Sequence, residues 1–318
     1  KAGKHVYLGK PTSHTPAEDE ILMQAVRKYN VVTSTGMQRR SWPNVIKAIQ
    51  EVKGGTIGKV YFGKAWYANN RPSIGIGKAT PVPNWLDWEL WQGPAPRVAE
   101  YKDNFLHYNW HWFYNWGTGE SGNNGVHFLD ILRWGMDLTF PIRVNSSGGR
   151  YVYQDDWEFP DTQVTNFEFA DNKLITWEGR SCNGRNIEDS SVGCVFYGEK
   201  GSLVITGGNS YKIYDLQNKL IKDVTSDLKF REGDTMNPTQ QLDSFHFSNM
   251  LDGIRKGTNL SADINVGCIS TMLSHLGNIA QRTNTILNTN PTNGRILNNK
   301  AANKLWGRKY QKGWEMKL

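Results

Sequence analysis

Apolar and polar positions over the first 57 residues follow a strand period, then a helical period, and then repeat this order. A short apolar stretch at residues 5–8 predicts a strand. Residues 15–18 (TPAE) form a capping box with proline at the first helical position, which predicts the start of a helix. A second strand at residues 31–34 precedes a helix whose apolar stripe lies at positions 45, 46, 49 and 52. This order is typical of a parallel, doubly wound sheet.

The first strand is apolar enough to be buried, and a buried parallel strand has neighbours on both of its sides. The sequence starts at Lys1, which is not a methionine, and only four residues precede the strand. We therefore expect the sequence to be the remainder of a longer protein.

The pattern changes after residue 57. Residues 58–68 alternate as a strand, and residues 69–118 form a long irregular segment rich in Pro, Gly and Trp, which predicts a functional or interface element. Residues 125–134 are helical in pattern, residues 143–215 contain strand runs joined by turns, and helices are expected near 240–256 and 266–287. The fold class is α/β followed by α+β, with an open, mainly antiparallel sheet flanked by helices.

Composition excludes several classes of protein. The 318 residues are 38% hydrophobic and 21% charged, which is ordinary for a globular chain, and no apolar run is long enough for a membrane helix. Three cysteines without a CxxC pair exclude a disulfide framework and disfavour a metal site. The net charge of +7 is scattered, and its densest cluster is a C-terminal tail interleaved with aromatics: Lys300, Lys304, Arg308, Lys309, Lys312 and Lys317. We interpret this tail as a solvated, packed segment and expect no nucleic-acid partner.

Three parts of the sequence carry candidate chemistry, and each has a structural alternative. Lys10 follows the first strand, at the end of a parallel sheet where ligands bind, although a lysine in a turn can also be merely solvated. His127 begins a helix behind small polar residues that include Asn123, and it could take a proton from an alcohol or be a capping histidine. Gln38, Arg39 and Arg40 lie in the loop after the second strand and could meet a phosphate or a sugar, although arginines in loops are common.

Several segments together resemble the Gfo/Idh/MocA oxidoreductase family. They are AGKHVYLGKP (2–11), TGMQRR (35–40), GNNGVHFLDILRW (122–134), PDTQV (160–164) and ITWEGRSCNG (175–184). Two Trp-rich segments, NWLDWELWQGPAP (84–96) and NWHWFYNWGTGE (109–120), resemble the branch found largely in glycan-degrading bacteria. The resemblance runs over nearly the whole chain, but the family's first strands and their glycine-rich loop have no counterpart in it.

The resemblance implies a Rossmann domain that binds NAD or NADP and a second domain whose open sheet lies beside the substrate. Residues 1–57 would be the C-terminal part of the Rossmann domain, and residues 58–318 the domain for substrate binding and oligomerisation. By the family's Glu-Lys-Pro and Asp-x-Gly-x-His motifs, with Gly9 and Asn123 at the acidic positions, Lys10 and His127 would be catalytic. The cofactor would contact Lys10 and Gln38. The substrate would contact Arg39, Tyr67, Arg71, Asn123, Asn124 and His127.

The expected function is NAD(P)-dependent oxidation or reduction of a hydroxyl group on a sugar, glycoside or polyol. Two alternatives stay open: an NAD-dependent glycosidase that oxidises its substrate only transiently, and a sugar-binding module without catalysis. We expect a small-molecule substrate and a homo-oligomer, and no metal and no membrane partner. The sequence fits either the cytoplasm or the periplasm.

Overall fold

The computed structural model describes residues 2–226, 240–316 and 318, so that Lys317 of the basic tail lies outside the described residues. Their helices are α1 (Pro16–Tyr29), α2 (Pro43–Lys53), α3 (Trp88–Gln92), α4 (Val126–Gly135), α5 (Gln240–Lys256), α6 (Ile264–Thr283) and α7 (Lys300–Asn303). Their strands are β1 (Val6–Leu8), β2 (Thr33–Thr35), β3 (Val60–Ala68), β4 (Arg143–Gly149), β5 (Thr162–Phe169), β6 (Lys173–Arg180), β7 (Val192–Gly198), β8 (Gly201–Thr206), β9 (Tyr211–Asp215), β10 (Leu220–Val224) and β11 (Leu287–Asn288). No helix in these ranges is both long and apolar enough to cross a bilayer.

The first 57 residues form the predicted strand–helix–strand–helix unit. β1 pairs with β2 in parallel, and the capping box of Thr15 and Glu18 begins α1 as the sequence indicates. The prediction that β1 is buried is wrong, because Val6 and Tyr7 are 42% and 37% exposed. β2 is the only strand that β1 pairs with among the described residues, so one edge of β1 has no strand beside it.

A nine-stranded sheet forms the larger part of the molecule. Its order is β10-β9-β8-β7-β3-β6-β5-β4-β11, and every neighbouring pair is antiparallel except β3 and β6. Helices α2, α4 and α6 pack against strands of this sheet. The expected fold class, an open and mainly antiparallel sheet flanked by helices, is confirmed.

One hydrophobic core crosses the boundary predicted between residues 57 and 58. Trp42, Val45 and Ile49 of the N-terminal unit are buried in the same cluster as Trp177 and Phe196 of the sheet. The two predicted domains therefore pack closely, and the boundary between them stays a prediction.

A single turn of π-helix, Ser121–Gly125, runs directly into α4 and fixes the position of its first residues. At Gly125 a Cβ atom would lie 2.9 Å from the Trp177 ring, and at Gly122 it would lie 2.1 Å from the Thr118 hydroxyl. Gly125 therefore lets the turn pack directly onto Trp177 of β6, and Gly122 lets it lie against the Thr118 side chain. Such π-turns occur frequently at functional sites.

A buried ion pair joins the loop after β2 to α4. The Arg40 guanidinium donates to both carboxylate oxygens of Asp130, at 2.7 and 2.9 Å, and the Ser270 hydroxyl donates to the same carboxylate. Asp130 is 1% exposed, so its charge depends on these partners.

We predict that Arg40→Met lowers the free energy of unfolding by about 3–5 kcal/mol, because it leaves the Asp130 carboxylate buried without its main cation. The matched control is Arg143→Met, which breaks the exposed pair with Glu168 and should cost about 0–1 kcal/mol. Urea unfolding followed by circular dichroism measures both changes. Equal losses in the two variants would contradict a structural role for the buried pair.

Candidate functional site

The ends of β1 and β2 lie side by side at one edge of the N-terminal unit. The backbone N–H of Gly36 donates to the carbonyl of Leu8 at 2.8 Å. A Cβ atom at Gly36 would lie 2.9 Å from the backbone nitrogen of Lys10, so the two loops approach this closely only with glycine at that position. The carboxyl ends of neighbouring parallel strands are the usual ligand-binding edge of such sheets. Lys10 and Gln38 follow these two ends.

Lys10 is held by the turn before α4. Its Nζ donates to the backbone carbonyl of Asn123 and to the Asn123 Oδ1, the latter at 3.1 Å. Burial lowers the pKa of Lys10 to about 8, and the negative charge of Glu120 opposes that shift. An ammonium group has three donors, so one remains for a ligand oxygen.

Glu120 is the acceptor on which the site's polar side chains converge. Its Oε2 accepts hydrogen bonds from Arg71 Nε at 3.0 Å and from the Ser181 hydroxyl at 3.1 Å. Its Oε1 accepts from the side-chain amides of Asn123, at 3.3 Å, and Asn124. The carboxylate is 5% exposed, and these four donors offset the cost of its burial.

Two tyrosines stand beside Arg71 at the mouth of the site. The Tyr67 hydroxyl accepts from Arg71 at 3.1 Å and from Asn69 at 2.7 Å, and burial raises the pKa of Tyr67. The Tyr108 hydroxyl accepts from Asn123 Nδ2 at 2.7 Å. Among the described residues each phenol only accepts, so each keeps its own O–H to donate to a ligand.

His127 stands in the first turn of α4 as an uncharged imidazole. Burial, followed by the positive charges of Lys10 and Arg39, holds the pKa of His127 well below 6.5. Its Nδ1 is sealed from solvent and has no hydrogen-bond partner among the described residues, while part of the side chain stays exposed. A neutral imidazole in this position can accept a proton.

Gln38 and Arg39, which follow β2, have different surroundings. Gln38 is half-buried, and its amide makes no hydrogen bond within the described part of the chain. The Arg39 guanidinium donates to the carbonyl of Gly207 at 2.7 Å and lies over the rings of Trp42 and Phe128. Arg39 therefore acts on the site through its charge on His127, and direct substrate contact by Arg39 stays a prediction.

Sequence reasoning missed four residues of this network: Glu120, Tyr108, Ser181 and His111. Glu120 had a usable signal, because it precedes Asn123 and Asn124 by three and four residues, the spacing that places side chains on one helical face. Tyr108 and His111 lie in the irregular Trp-rich segment, where no periodic pattern places a side chain. Burial lowers the pKa of His111 to about 4, and the charges of Lys10 and Arg71 add to that shift.

The described residues contain no group of three or more His, Cys, Asp or Glu side chains arranged to hold a metal ion.

A comparison with models of protein families identifies the family to which this chain belongs. Residues 64–316, from β3 to the C-terminal segment, match the family described as "Oxidoreductase family, C-terminal alpha/beta domain" of the Gfo/Idh/MocA type. The chain belongs to the Gfo/Idh/MocA oxidoreductase family. The family match starts within β3, so it does not include Lys10 or Gln38.

Solved structures of oxidoreductases share the fold. An NAD-binding oxidoreductase from Klebsiella pneumoniae is 16% identical with a TM-score of 0.67, over 90% of this chain and 74% of that one. An aldose-aldose oxidoreductase from Caulobacter crescentus in complex with glycerol is 15% identical with a TM-score of 0.65, over 90% and 72%. Levoglucosan dehydrogenase in complex with NADH and levoglucosan is 16% identical with a TM-score of 0.65, over 90% and 74%. No curated protein matches the chain in sequence.

We predict that Glu120→Gln lowers the pKa of Lys10 below about 8, because the negative charge of Glu120 stabilises the protonated amine. The rate of acylation of Lys10 by an amine-selective reagent, measured against pH and located by peptide mass spectrometry, reports this pKa. Glu178→Gln is the control, since Glu178 pairs with Lys64 and Arg180. An unchanged Lys10 profile in Glu120→Gln would show that the two charges are not coupled.

Proposed function

We propose that this protein oxidises or reduces a hydroxyl group of a sugar, glycoside or polyol with a nicotinamide cofactor. The observation that carries the proposal is the pairing of an uncharged, partly accessible His127 with the Lys10 ammonium, whose third donor is free. Together they supply a proton acceptor and a donor to the reacting oxygen, as the interconversion of an alcohol and a carbonyl requires.

The residues at the strand ends fit the nicotinamide end of such a cofactor. The Gln38 side-chain amide has no hydrogen-bond partner among the described residues, and its donor and acceptor groups match those of a carboxamide. Lys10 stands at the neighbouring strand end. Lys10 and Gln38 would hold this group, which when bound accepts a hydride from the carbinol carbon or returns it.

In the oxidation direction, His127 accepts the proton of the substrate hydroxyl as the C–H bond gives up its hydride and a carbonyl forms. The Lys10 ammonium donates to the same oxygen and stabilises the negative charge that develops there. Asn123 fixes the direction of that ammonium through two acceptors. The reverse reaction uses the same groups, with His127 returning the proton.

The hydroxyl groups and aromatic rings beside Arg71 favour a substrate with several hydroxyl groups. Tyr67 and Tyr108 each have an O–H to donate, and the Arg71 guanidinium lies over both of their rings. Such a mixture of aromatic faces and fixed polar groups suits sugars and polyols. The structural neighbours that were solved with levoglucosan, L-sorbose or glycerol support this substrate class. NAD or NADP as the cofactor, and a homo-oligomer, remain predictions.

We predict that His127→Ala lowers the turnover of the full-length protein by a factor on the order of 10²–10⁴ and leaves cofactor affinity nearly unchanged. Steady-state absorbance at the nicotinamide band gives the turnover, and fluorescence titration gives the affinity. His5→Ala is the control, because His5 is exposed and precedes β1. Wild-type turnover in His127→Ala would refute the assignment of His127.

The same assay separates net oxidation from transient oxidation. A dehydrogenase forms one reduced cofactor for each substrate oxidised, whereas an NAD-dependent glycosidase releases the aglycone with no net change in the cofactor. We expect accumulation of the reduced cofactor in step with the product.

A further inference from the structure

Two linked cavities lie between the start of α1, the Trp-rich segment and the C-terminal segment. The inner one, about 180 Å³, lies against α6 and is lined by His275, Asn278 and Arg282. The outer one, about 440 Å³, is lined by Trp91, Trp110 and Trp116. Both cavities share two lining residues, His14 and Arg308, which therefore stand at their junction.

The junction carries positive charge without a matching acid in its lining. Neither Arg282 nor Arg308 forms an ion pair within the described residues, and no Asp or Glu lines either cavity. Arg308 donates to the carbonyl of Asn115 at 2.9 Å, and the Arg282 guanidinium lies 3.9 Å from the centre of the Tyr114 ring. These contacts use only part of the donor capacity of the two guanidinium groups.

The acidic side chains near this junction, Glu18 and Asp19, already accept hydrogen bonds from other groups of the protein. The negative charge of Glu18 acts on Arg308 without forming an ion pair with it among the described residues. The Glu18 oxygens accept hydrogen bonds from the backbone N–H groups of His14 and Thr15 and from the Tyr310 hydroxyl. The Asp19 Oδ1 accepts from the Thr12 hydroxyl at 2.6 Å, and its Oδ2 lies 3.8 Å from Nε2 of His275 in the lining of the inner cavity; burial raises the pKa of Asp19 to about 7.

Besides the two arginines, the His14 side chain indicates a ligand at the junction of the two cavities. Both ring nitrogens are buried, and neither makes a well-formed hydrogen bond among the described residues, although the Tyr114 backbone acts on the ring as an acceptor. Burial lowers the pKa of His14 to about 3; the charges of Arg308, His275 and Arg282 add to that shift, and the Tyr114 backbone opposes it. The imidazole is therefore weakly bonded in a positively charged lining, and an oxyanion that accepts from its N–H would improve that bonding.

We propose that the linked cavities bind an oxyanion, with Arg308 at the junction and Arg282 in the inner cavity as its cationic partners. The inner cavity has the volume of about six liquid waters at ~30 Å³ each, enough for a phosphate, sulfate or carboxylate group. If the oxyanion belongs to an acidic sugar, the outer cavity with its three tryptophans receives the ring. This site does not rest on the proposed oxidoreductase activity.

Isothermal titration calorimetry at constant ionic strength tests the proposal, with the melting temperature as a second readout. The probes are inorganic phosphate, sulfate, glucuronate and, as the uncharged comparison, glucose. Arg308→Gln and Arg282→Gln remove one charge each, and Arg255→Gln on exposed α5 is the matched control. Arg282 is exposed, so Arg282→Gln keeps the test valid if Arg308→Gln fails to fold.

We expect at least one anionic probe to bind and to raise the melting temperature of the wild-type protein. Arg308→Gln should raise its Kd by roughly tenfold or more, as when one charge-assisted hydrogen bond is lost, while Arg255→Gln leaves it unchanged. Glucuronate binding tighter than phosphate assigns the anion to a sugar, and the reverse order assigns it to a free oxyanion. Binding of none of the anions, binding of glucose as tight as the tightest anion, or equal Kd values in Arg282→Gln, Arg308→Gln and Arg255→Gln would overturn the proposal.

Discussion

The site depends on one buried carboxylate. Glu120 is 5% exposed, and it remains charged at low cost only while Arg71, Ser181, Asn123 and Asn124 all donate to it. Those donors come from the end of β3, the end of β6 and the turn before α4. The carboxylate therefore fixes these three segments relative to one another. Its charge also keeps the buried Lys10 ammonium protonated near neutral pH.

The same arrangement explains why His127 and Lys10 differ in charge although both are half-buried. Burial lowers the pKa of Lys10, and the Glu120 charge opposes that shift, so the pKa is about 8. Burial also lowers the pKa of His127, and the charges of Lys10 and Arg39 lower it further, so it lies well below the usual value. One group is thus set to donate and the other to accept, which is the division that proton transfer at a hydroxyl oxygen requires.

The sequence predicted most of the elements because their patterns are local: the capping box of α1, the apolar stripe of α2 and the alternation in β5 and β6. It also predicted Lys10, Asn123 and Asn124, which the structure brings together around the turn before α4. The sequence could not predict that β1 is exposed, because exposure depends on which segments of the folded protein pack against that strand. Nor could it predict Tyr108, which reaches Asn123 from an irregular segment 15 residues earlier in the chain.

The central claim is that His127 is an uncharged proton acceptor in the folded protein. Nuclear magnetic resonance of the ¹⁵N-labelled histidine ring, assigned by comparison with His127→Gln and titrated with acid, measures this directly. We expect the His127 nitrogens to keep the chemical shifts of a neutral imidazole from pH 7.5 through the usual titration range near 6.5 and below it. Protonation of His127 near or above pH 6.5 would contradict it.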